Sequence, residues 1–280
     1  MKTVTTVKAL HAEISRVKEQ DLSIGFVPTM GALHKGHLEL MKTARTNNNI
    51  VVVSIFVNPT QFNNPNDLRN YPRTIDQDIA KCESVGVDIV FAPTVEEVYP
   101  IPDNRVFDFG NLDKVMEGEH RPGHFNGVAQ VVSKLFSMVK PTRSYFGQKD
   151  FQQLAVIRAL VKDYSIDVDI VACPTFREDD GLAMSSRNAL LSAEQRANVP
   201  IISKTLFAAR NNLAQKSVKE MIDWVTTEIN ANNELDVEYF EISNANTLQP
   251  ITKWSDADEV VGCIAVQVGN VRLIDNVIFK

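Results

Sequence analysis

Short apolar runs alternate with segments of helical periodicity through the first 170 residues, and this alternation constrains the fold more than any other feature of the chain. The predicted strands are apolar on both faces, as strands between two layers of helices must be: Leu22–Val27, Ile50–Val57, Asp88–Ala92, Ser144–Phe146 and Val168–Val171. The predicted helices between them carry apolar residues at spacings of three and four: Lys35–Arg45, Ile75–Val85, Phe125–Val139 and Phe151–Tyr164. This order of elements predicts an α/β fold built on a parallel sheet.

A different pattern follows Pro174. The polar segment Arg177–Asn188 leads to a helix that we predict to run from an N-cap at Ser192 to about Asn212. One more helix and three alternating strands follow, with Gly269-Asn270 as a tight connection: Val218–Ile229, Val237–Ile242, Val260–Val268 and Arg272–Phe279. We therefore predict a Rossmann-like parallel-sheet domain at residues 1–176 and a smaller C-terminal α+β lid domain, with helices and a small antiparallel sheet, at residues 177–280.

Charge and hydropathy exclude several classes of partner. The chain has 35 acidic and 29 basic residues and a net charge of -6, so it lacks the positive field that holds a nucleic acid. The longest apolar run, Ile50–Val57, is far shorter than the ~20 residues of a membrane-spanning helix, and the amino terminus lacks the apolar core of a signal peptide. We expect a cytoplasmic protein without a nucleic-acid or membrane partner, whose Cys82, Cys173 and Cys263 are buried thiols.

The glycines exclude the two commonest phosphate-binding motifs. No two of the 12 glycines lie two positions apart, so the G-x-G-x-x-G fingerprint is absent. None of them is followed by lysine, so the G-x-x-x-x-G-K-[ST] loop is absent too. A nucleotide bound by this chain must be held by another device.

The segment Pro28–His37 offers such a device, because it joins a strand end to a helix start. A helix start attracts phosphate through its N–H groups and its dipole, and His34 and His37, three residues apart, can direct further donors at the same anion. Gly31 and Gly36 would allow a close approach of the backbone. The alternative is that both histidines only satisfy local backbone groups.

A zinc site is a second alternative for these histidines. His34 and His37, together with His120 and His124, supply four imidazoles at spacings found among zinc ligands. Against zinc, no carboxylate or thiolate accompanies either pair at a recognised spacing, and Arg121 would repel a cation.

The segment Phe146–Gln153 is again a strand end, a glycine and a helix start. If its strand pairs with the first predicted strand, Lys149 would lie beside the His34 helix and could bind the α- or β-phosphate. Asp150 could cap the helix or accept ribose hydroxyls. The alternative is a solvated Lys-Asp pair on the surface.

The segment Arg177–Asn188 lies at the predicted domain junction. Its Ser185, Ser186 and Arg187 offer two hydroxyls and a guanidinium to a phosphate, on a loop that Gly181 could hinge. The alternative is an ordinary polar linker.

Together, these segments closely resemble the pantothenate synthetase family. With two further runs, they give five stretches that occur in the family's order and extend over essentially the whole chain: Pro28–Leu40, Ser54–Phe62, Arg121–Val128, Phe146–Gln153 and Arg177–Asn188. The family belongs to the nucleotidyltransferase superfamily, in which a two-histidine motif and a serine-containing loop both bind ATP. The matching runs here are His34-Lys35-Gly36-His37 and Met184-Ser185-Ser186-Arg187.

The resemblance implies an AMP-forming pantoate–β-alanine ligase of pantothenate and coenzyme A biosynthesis. The expected reaction joins (R)-pantoate to β-alanine with ATP and Mg²⁺, through an enzyme-bound pantoyl adenylate, and releases pyrophosphate and then AMP. The resemblance also implies a homodimer formed through the amino-terminal domain.

Residue roles follow from the same resemblance. The implied catalytic groups are His34, His37, Lys149, Ser185, Ser186 and Arg187, with His37 as proton donor. The implied ATP-binding residues are Met30, Gly31, Ala32, Leu33, His34, Lys35, Gly36, His37, Gly147, Gln148, Lys149, Asp150, Phe176, Met184, Ser185, Ser186 and Arg187. Gln61 and Gln153 are expected to hold pantoate, and Asn58 and His124 to shape the acid and amine site; no residue is expected to form a dedicated metal site.

Two departures from the family pattern are visible. Gln148 stands where glutamate is common, and Phe176 stands where a smaller aliphatic residue or threonine is common. Because the adenine contact is expected through backbone, Phe176 bears on the shape of the pocket. Two other functions remain open: a nucleotidyltransferase that leaves AMP or CMP on its product, and a protein that senses a nucleotide without turning it over.

Overall fold

The computed structural model describes all 280 residues, Met1 to Lys280. The chain forms two compact units. Unit 1 comprises Met1–Phe109, Arg121–Gln148 and Gln153–Pro174, and unit 2 comprises Gly110–His120, Lys149–Gln152 and Thr175–Lys280. The division into folding domains near residue 176 stays a prediction.

Strands and helices alternate in the first 174 residues. The strands are β1 (Lys2–Val4), β2 (Ile24–Thr29), β3 (Ile50–Ile55), β4 (Ile89–Phe91), β5 (Arg143–Gly147) and β6 (Asp169–Cys173). The helices are α1 (Val7–Glu19), α2 (Lys35–Asn47), α3 (Pro65–Asn70), α4 (Ile75–Ser84), α5 (Val95–Val98), α6 (Met116–His120), α7 (His124–Val139) and α8 (Phe151–Asp163). A single turn of 3-10 helix, Pro59–Gln61, follows β3.

The six strands form one parallel sheet in the order β1-β4-β3-β2-β5-β6, which confirms the predicted α/β class. Phe26 in the middle of β2 lies opposite Val52 of β3 on one side and Ser144 of β5 on the other. The chain leaves β2 toward β3 and returns later to place β5 on the opposite side. Open α/β sheets bind ligands at such a reversal, beyond the carboxyl ends of the strands.

The central strands are buried because helices cover them. Val27, Val51, Val53 and Val90 are inaccessible to solvent and pack in one cluster with residues of α2 and α4. This burial explains why the strands read as continuous apolar runs rather than as alternating ones. The loops at the strand ends are therefore anchored to well-packed strands.

Unit 2 contains a three-stranded antiparallel sheet and its helices. The 3-10 helix Ser186–Leu190 precedes α9 (Ala193–Asn198), α10 (Pro200–Asn211), the 3-10 helix Leu213–Gln215, α11 (Val218–Asn230), β7 (Leu235–Asn244), the 3-10 helix Trp254–Asp256, β8 (Val260–Val268) and β9 (Val271–Ile278). The strands pair in the order β7-β8-β9, and Gly269, with φ of 56°, forms the predicted tight turn between β8 and β9.

One predicted element is wrong in its extent. The helix expected from Ser192 to Asn212 is two helices, because Pro200 has no N–H to donate and therefore begins α10 instead of continuing α9. The Ser192 cap is confirmed: its hydroxyl accepts from the Gln195 N–H at 3.1 Å.

The sequence patterns predicted no element before Leu22, yet the structure has β1 and α1 there. Leu10, Ile14 and Val17 follow helical spacing and are buried, and Thr6 caps α1 by accepting from the Ala9 N–H. The three cysteines are free and buried, as expected. None of the helices has both the length and the apolar character that a membrane crossing requires.

Candidate active site

In unit 1, the loop between β2 and α2 turns sharply. It follows the carboxyl end of β2, the strand at which the strand order reverses. Gly31 and Ala32 both have positive φ, at 82° and 49°. The Thr29 hydroxyl accepts from the Gly31 N–H at 3.2 Å and donates to the Ser54 carbonyl at 2.7 Å. The loop is thereby tied to both central strands.

His34 and His37 come together at the start of α2. His34 is the N-cap, with extended backbone, and the two rings lie 4.0 Å apart between centroids. The His34 N–H donates to Nδ1 of His37 at 3.3 Å. A neutral His37 that accepts at Nδ1 carries its proton on Nε2.

The buried carboxylate of Asp78, which the sequence patterns did not identify, holds this loop by hydrogen bonds to its backbone. The oxygens of Asp78 accept from the N–H groups of Ala32 at 2.9 Å and Leu33 at 2.8 Å. Thr74 donates its hydroxyl to the same carboxylate at 3.1 Å, and Lys81 donates to the Leu33 carbonyl at 2.7 Å. Two of the backbone donors of the loop are therefore used inside the protein and are not offered to a phosphate.

The signal for Asp78 was present in the sequence. Asp78 and Cys82 are four residues apart on α4, and both are fully buried. A carboxylate on the apolar face of a helix must find hydrogen-bond donors, since an unpaired buried charge is costly. Periodicity alone did not identify the donors, because they lie about 45 residues earlier in the chain.

Beyond β3, Asn58 and Gln61 lie together at the turn of 3-10 helix. The Asn58 side chain, 1% exposed, donates from Nδ2 to Oε1 of Gln61 at 3.1 Å and to the Gly127 carbonyl at 3.1 Å. Gln61 is half-buried, and its Nε2 lies 3.0 Å from Sδ of Met30. The structure thus brings Met30, Asn58 and Gln61 into one cluster.

His124 joins the same cluster from the start of α7. Its Nδ1 lies 2.8 Å from the Gln61 carbonyl, a contact in which only the ring can donate. Its Nε2 lies 3.3 Å from a guanidinium nitrogen of Arg121. Helix α7 can approach this closely because of Gly127, where a Cβ would lie 2.3 Å from the Thr60 carbonyl oxygen.

The end of β5 contributes Gly147 and Gln148 to unit 1. The Gln148 N–H donates to the Cys173 carbonyl at 2.8 Å, so its backbone continues the pairing with β6. A Cβ added at Gly147 would meet no other atom within 4 Å. Gln153, in the first turn of α8, is half-buried. The pairing of β2 with β5, on which the expected position of Lys149 depended, is present.

Unit 2 carries Lys149 and Asp150, whose charged groups lie 3.9 Å apart. The Lys149 side chain is 17% exposed and that of Asp150 is 47% exposed. The Lys149 carbonyl accepts from Nδ2 of Asn276 in β9 at 2.8 Å, which holds the backbone of Lys149.

The loop from Phe176 to Arg187 is also part of unit 2. The Phe176 carbonyl accepts from the Met184 N–H at 3.0 Å, so one of its two lone pairs remains for a ligand. The Ser185 hydroxyl accepts from the Arg187 N–H at 3.2 Å and begins a turn of 3-10 helix, while Ser186 and Arg187 are half-buried.

Arg177, at the start of the same loop, has a structural partner. Its guanidinium donates to both carboxylate oxygens of Asp275, at 2.7 and 2.9 Å. The paired Asp275 side chain is only 4% exposed, so this ion pair anchors the loop to β9.

The zinc hypothesis gains no support. No group of three or more His, Cys, Asp or Glu side chains lies together as a metal site would require. His120 instead pairs with Glu238 at 3.2 Å and stacks on Tyr239 within unit 2, whereas His124 contacts Gln61 and Arg121 within unit 1.

A parallel sheet whose polar loops gather at the reversal of strand order is typical of α/β proteins that bind small ligands there. The family model for pantoate-beta-alanine ligase matches residues 2–278 of this chain. The chain therefore belongs to the pantoate-beta-alanine ligase family and is an enzyme of that class, as the sequence motifs predicted.

Individual relatives agree with the family. The chain is 55% identical over 280 residues to the pantothenate synthetase of Bacteroides fragilis (strain YCH46), covering 100% of this chain and 99% of the relative. A crystal structure of pantothenate synthetase from Thermus thermophilus is similar with a TM-score of 0.93 and 44% identity over 99% of both chains. A structure of pantoate-beta-alanine ligase from Francisella tularensis, complexed with beta-gamma ATP and beta-alanine, is similar with a TM-score of 0.84 and 37% identity, covering 100% of this chain and 98% of that one.

Proposed function

We propose that this chain joins (R)-pantoate to β-alanine in two steps through an enzyme-bound pantoyl adenylate, with ATP as the second substrate of the first step. Membership of the family along the whole chain is the observation that carries the proposal. The relative from Francisella tularensis, crystallised with an ATP compound and β-alanine, supports the same pair of ligands.

In the first step, a carboxylate oxygen of pantoate attacks the α-phosphorus of ATP. The new bond joins that oxygen to phosphorus, and the bond from phosphorus to the bridging oxygen of pyrophosphate breaks. Two anions must meet, so the enzyme has to position them and neutralise the charge that develops on pyrophosphate.

Six side chains of this chain would supply that neutralisation. His34, His37, Lys149 and Arg187 are the cationic or N–H donors, and the hydroxyls of Ser185 and Ser186 add neutral hydrogen bonds. For His37, the contact of Nδ1 with the His34 N–H supports donation from Nε2 to a phosphate oxygen. We assign Met30–His37, Gly147–Asp150, Phe176 and Met184–Arg187 to ATP.

In the second step, the amine of β-alanine attacks the acyl carbon of the adenylate. The bond between that carbon and the phosphate oxygen breaks, the amine loses a proton, and AMP leaves. Because the adenylate is already activated, no nucleophile from the protein is needed. Gln61 and Gln153 would hold pantoate as neutral amides, which leaves the carboxylate more nucleophilic than a strong ion pair would.

Magnesium fits this proposal as a partner of ATP. Mg²⁺ is commonly held by substrate phosphates together with only one or two carboxylates, so the lack of a cluster of three ligands is compatible with MgATP. When bound, the ion would neutralise phosphate charge.

Isotope exchange and product analysis test the two steps. We expect pantoate alone to support exchange between labelled pyrophosphate and ATP, and AMP to appear only after β-alanine is added. AMP retained in the final product would favour a nucleotidyltransferase, and the absence of any turnover with pantoate would favour a nucleotide sensor.

We also propose that the enzyme is a cytoplasmic homodimer, as its family resemblance implies. Light scattering coupled to size-exclusion chromatography would give about twice the chain mass of 31.3 kDa if the dimer forms. A mass equal to one chain would contradict the dimer.

A further inference from the structure

Tyr99 reaches the pantoate side of the candidate site through a chain of hydrogen bonds. The residue follows α5, and its hydroxyl donates to Oδ1 of Asn58 at 2.9 Å. Asn58 donates from Nδ2 to Oε1 of Gln61, whose Nε2 then faces the Sδ of Met30. Neither the sequence motifs nor the family resemblance gave Tyr99 a role.

Backbone groups fix the direction of this chain. On one side of the Asn58 amide, the Thr60 N–H, which can only donate, lies 3.4 Å from Oδ1. On the other side, the Gly127 carbonyl, which can only accept, lies 3.1 Å from Nδ2. The Asn58 amide therefore has one satisfactory orientation, with Nδ2 toward Gln61.

The orientation of Gln61 follows from that of Asn58. Because Nδ2 of Asn58 is a donor, Oε1 of Gln61 must turn toward it, and the Gln61 NH₂ group is left to donate outward. The ring of His124 holds the Gln61 carbonyl at 2.8 Å, so the backbone of Gln61 is held independently of its side chain.

The Tyr99 ring is itself held in place. The ammonium group of Lys134 lies 5.3 Å from the ring centroid and pairs with Asp103 at 3.6 Å. Burial raises the pKa of the Tyr99 hydroxyl, so the group stays a donor throughout the neutral range.

We propose that Tyr99 is a positioning residue for pantoate: its hydroxyl locks Asn58, and through Asn58 it orients the Gln61 amide so that Nε2 donates to an acceptor oxygen of the acid. The inference rests on the proposed function. A substrate with an oxygen acceptor gains from a pre-oriented donor, because the amide need not be ordered on binding.

The variant Tyr99→Phe tests the proposal, since it removes the hydroxyl and keeps the ring with its Lys134 contact. Tyr145→Phe is the matched control: it removes another tyrosine hydroxyl, which contacts Nδ2 of a different asparagine, Asn48, at 2.7 Å in the core of unit 1. Urea unfolding would verify that both variants fold.

With ATP and β-alanine saturating, we expect Tyr99→Phe to raise the KM for pantoate about tenfold, the loss of roughly one well-oriented hydrogen bond. The KM for ATP should change less than about twofold, and Tyr145→Phe should leave both constants near those of the wild type. Equal effects of the two variants, or an equal rise in the KM for ATP, would overturn the proposal.

A double-mutant cycle separates positioning from a general structural effect. If Tyr99 acts through Gln61, adding Tyr99→Phe to Gln61→Ala should change the KM for pantoate by less than about twofold further. Independent, multiplying effects would overturn the proposal. Gln61→Glu, which cannot donate, should bind pantoate more weakly than Gln61→Ala; stronger binding would mean that this side chain accepts from the acid.

These outcomes are distinct from failure of the proposed function. A wild-type enzyme without pantoate-dependent pyrophosphate exchange would overturn the function and the inference together. A wild-type enzyme with that exchange, beside a Tyr99→Phe variant that behaves like Tyr145→Phe, would overturn only the inference.

Discussion

The carboxylate of Asp78 accepts a hydrogen bond from the backbone N–H of Leu33 at 2.8 Å, across 45 residues of sequence. Its second oxygen accepts from the N–H of Ala32, a residue with positive φ. The helix α4 thus determines the shape of the loop that precedes His34 and His37. The loop conformation depends on a buried carboxyl group that lies outside the five runs that resemble the family.

Replacing Asp78 by asparagine should loosen this loop. The amide offers only one acceptor oxygen and turns an NH₂ group toward a backbone donor, so we expect a loss of about 2–3 kcal/mol in the free energy of unfolding. We also expect a higher KM for ATP. Urea unfolding and steady-state kinetics measure the two effects.

Asp76→Asn is the control for this variant, because Asp76 lies in the first turn of the same helix and is exposed. It should change the free energy of unfolding by less than about 0.5 kcal/mol. If both variants behaved alike, Asp78 would not be the residue that holds the loop.

Removing the His34 imidazole should reduce adenylate formation without unfolding the protein. Loss of one donor that stabilises developing charge typically costs about 10²–10³ in rate, and we expect His34→Ala to fall in this range. Single-turnover release of pyrophosphate measures the step directly. His11→Ala, at an exposed position of α1, should leave the rate unchanged. Near-normal pyrophosphate release by His34→Ala would remove His34 from the assigned machinery.

The role of Lys149, a residue of unit 2, can be tested separately from that of His34. Lys149→Ala should slow adenylate formation by ~10²–10³ while the second step, tested with pre-formed adenylate and β-alanine, is affected less. Lys204→Ala, on α10 of the same unit, is the control. Equal losses in both steps would indicate that Lys149 acts on something other than the departing pyrophosphate.

Acid stability should depend on Asp103. Hydrogen bonds from Arg105 lower the pKa of Asp103 to about 2, although burial opposes the shift. The pKa in the unfolded chain is about 3.9, so Asp103 contributes stability above about pH 4 that is lost as the pH falls toward 2. With the ion pair partly solvated through Arg105, we expect a contribution of about 1–2 kcal/mol.

The variant Asp103→Asn isolates this contribution. The free energy of unfolding of the wild type should fall toward that of the variant between about pH 4 and pH 2, and the difference should be constant near neutrality. A difference that persists unchanged at pH 2 would show that the carboxylate charge is not its source.

The fold was largely predictable from the sequence. Buried parallel strands appear in it as continuous apolar runs, and the helices that cover them have apolar residues at spacings of three and four. What failed was local. Pro200 interrupts a helix whose apolar spacing continues across it, and the pattern of α1 is weak because charged residues and His, Ala and Ser separate its few apolar positions. These errors come from backbone chemistry and mixed composition, and not from tertiary contacts that override the local preference of the chain.

The sequence predicted only those residues of the candidate site that lie within recognisable motifs. His34, His37, Asn58 and Gln61 fall in recognisable segments, and the structure brings each pair together. Asp78 and Tyr99 were not identified from the sequence because each forms hydrogen bonds with a segment that is distant along the chain. A single sequence does not reveal which distant segments meet. Pairing of β2 with β5 was likewise a condition that only coordinates could supply.

The most direct test of the proposed reaction is a search for the acyl adenylate itself. Enzyme mixed with MgATP and pantoate, without β-alanine, is quenched in acid and analysed by mass spectrometry for pantoyl adenylate and pyrophosphate. We expect both products in amounts stoichiometric with the protein, and conversion of the adenylate to AMP and pantothenate when β-alanine is added. Unconsumed ATP with no adenylate, or an adenylate that β-alanine does not discharge, would contradict it.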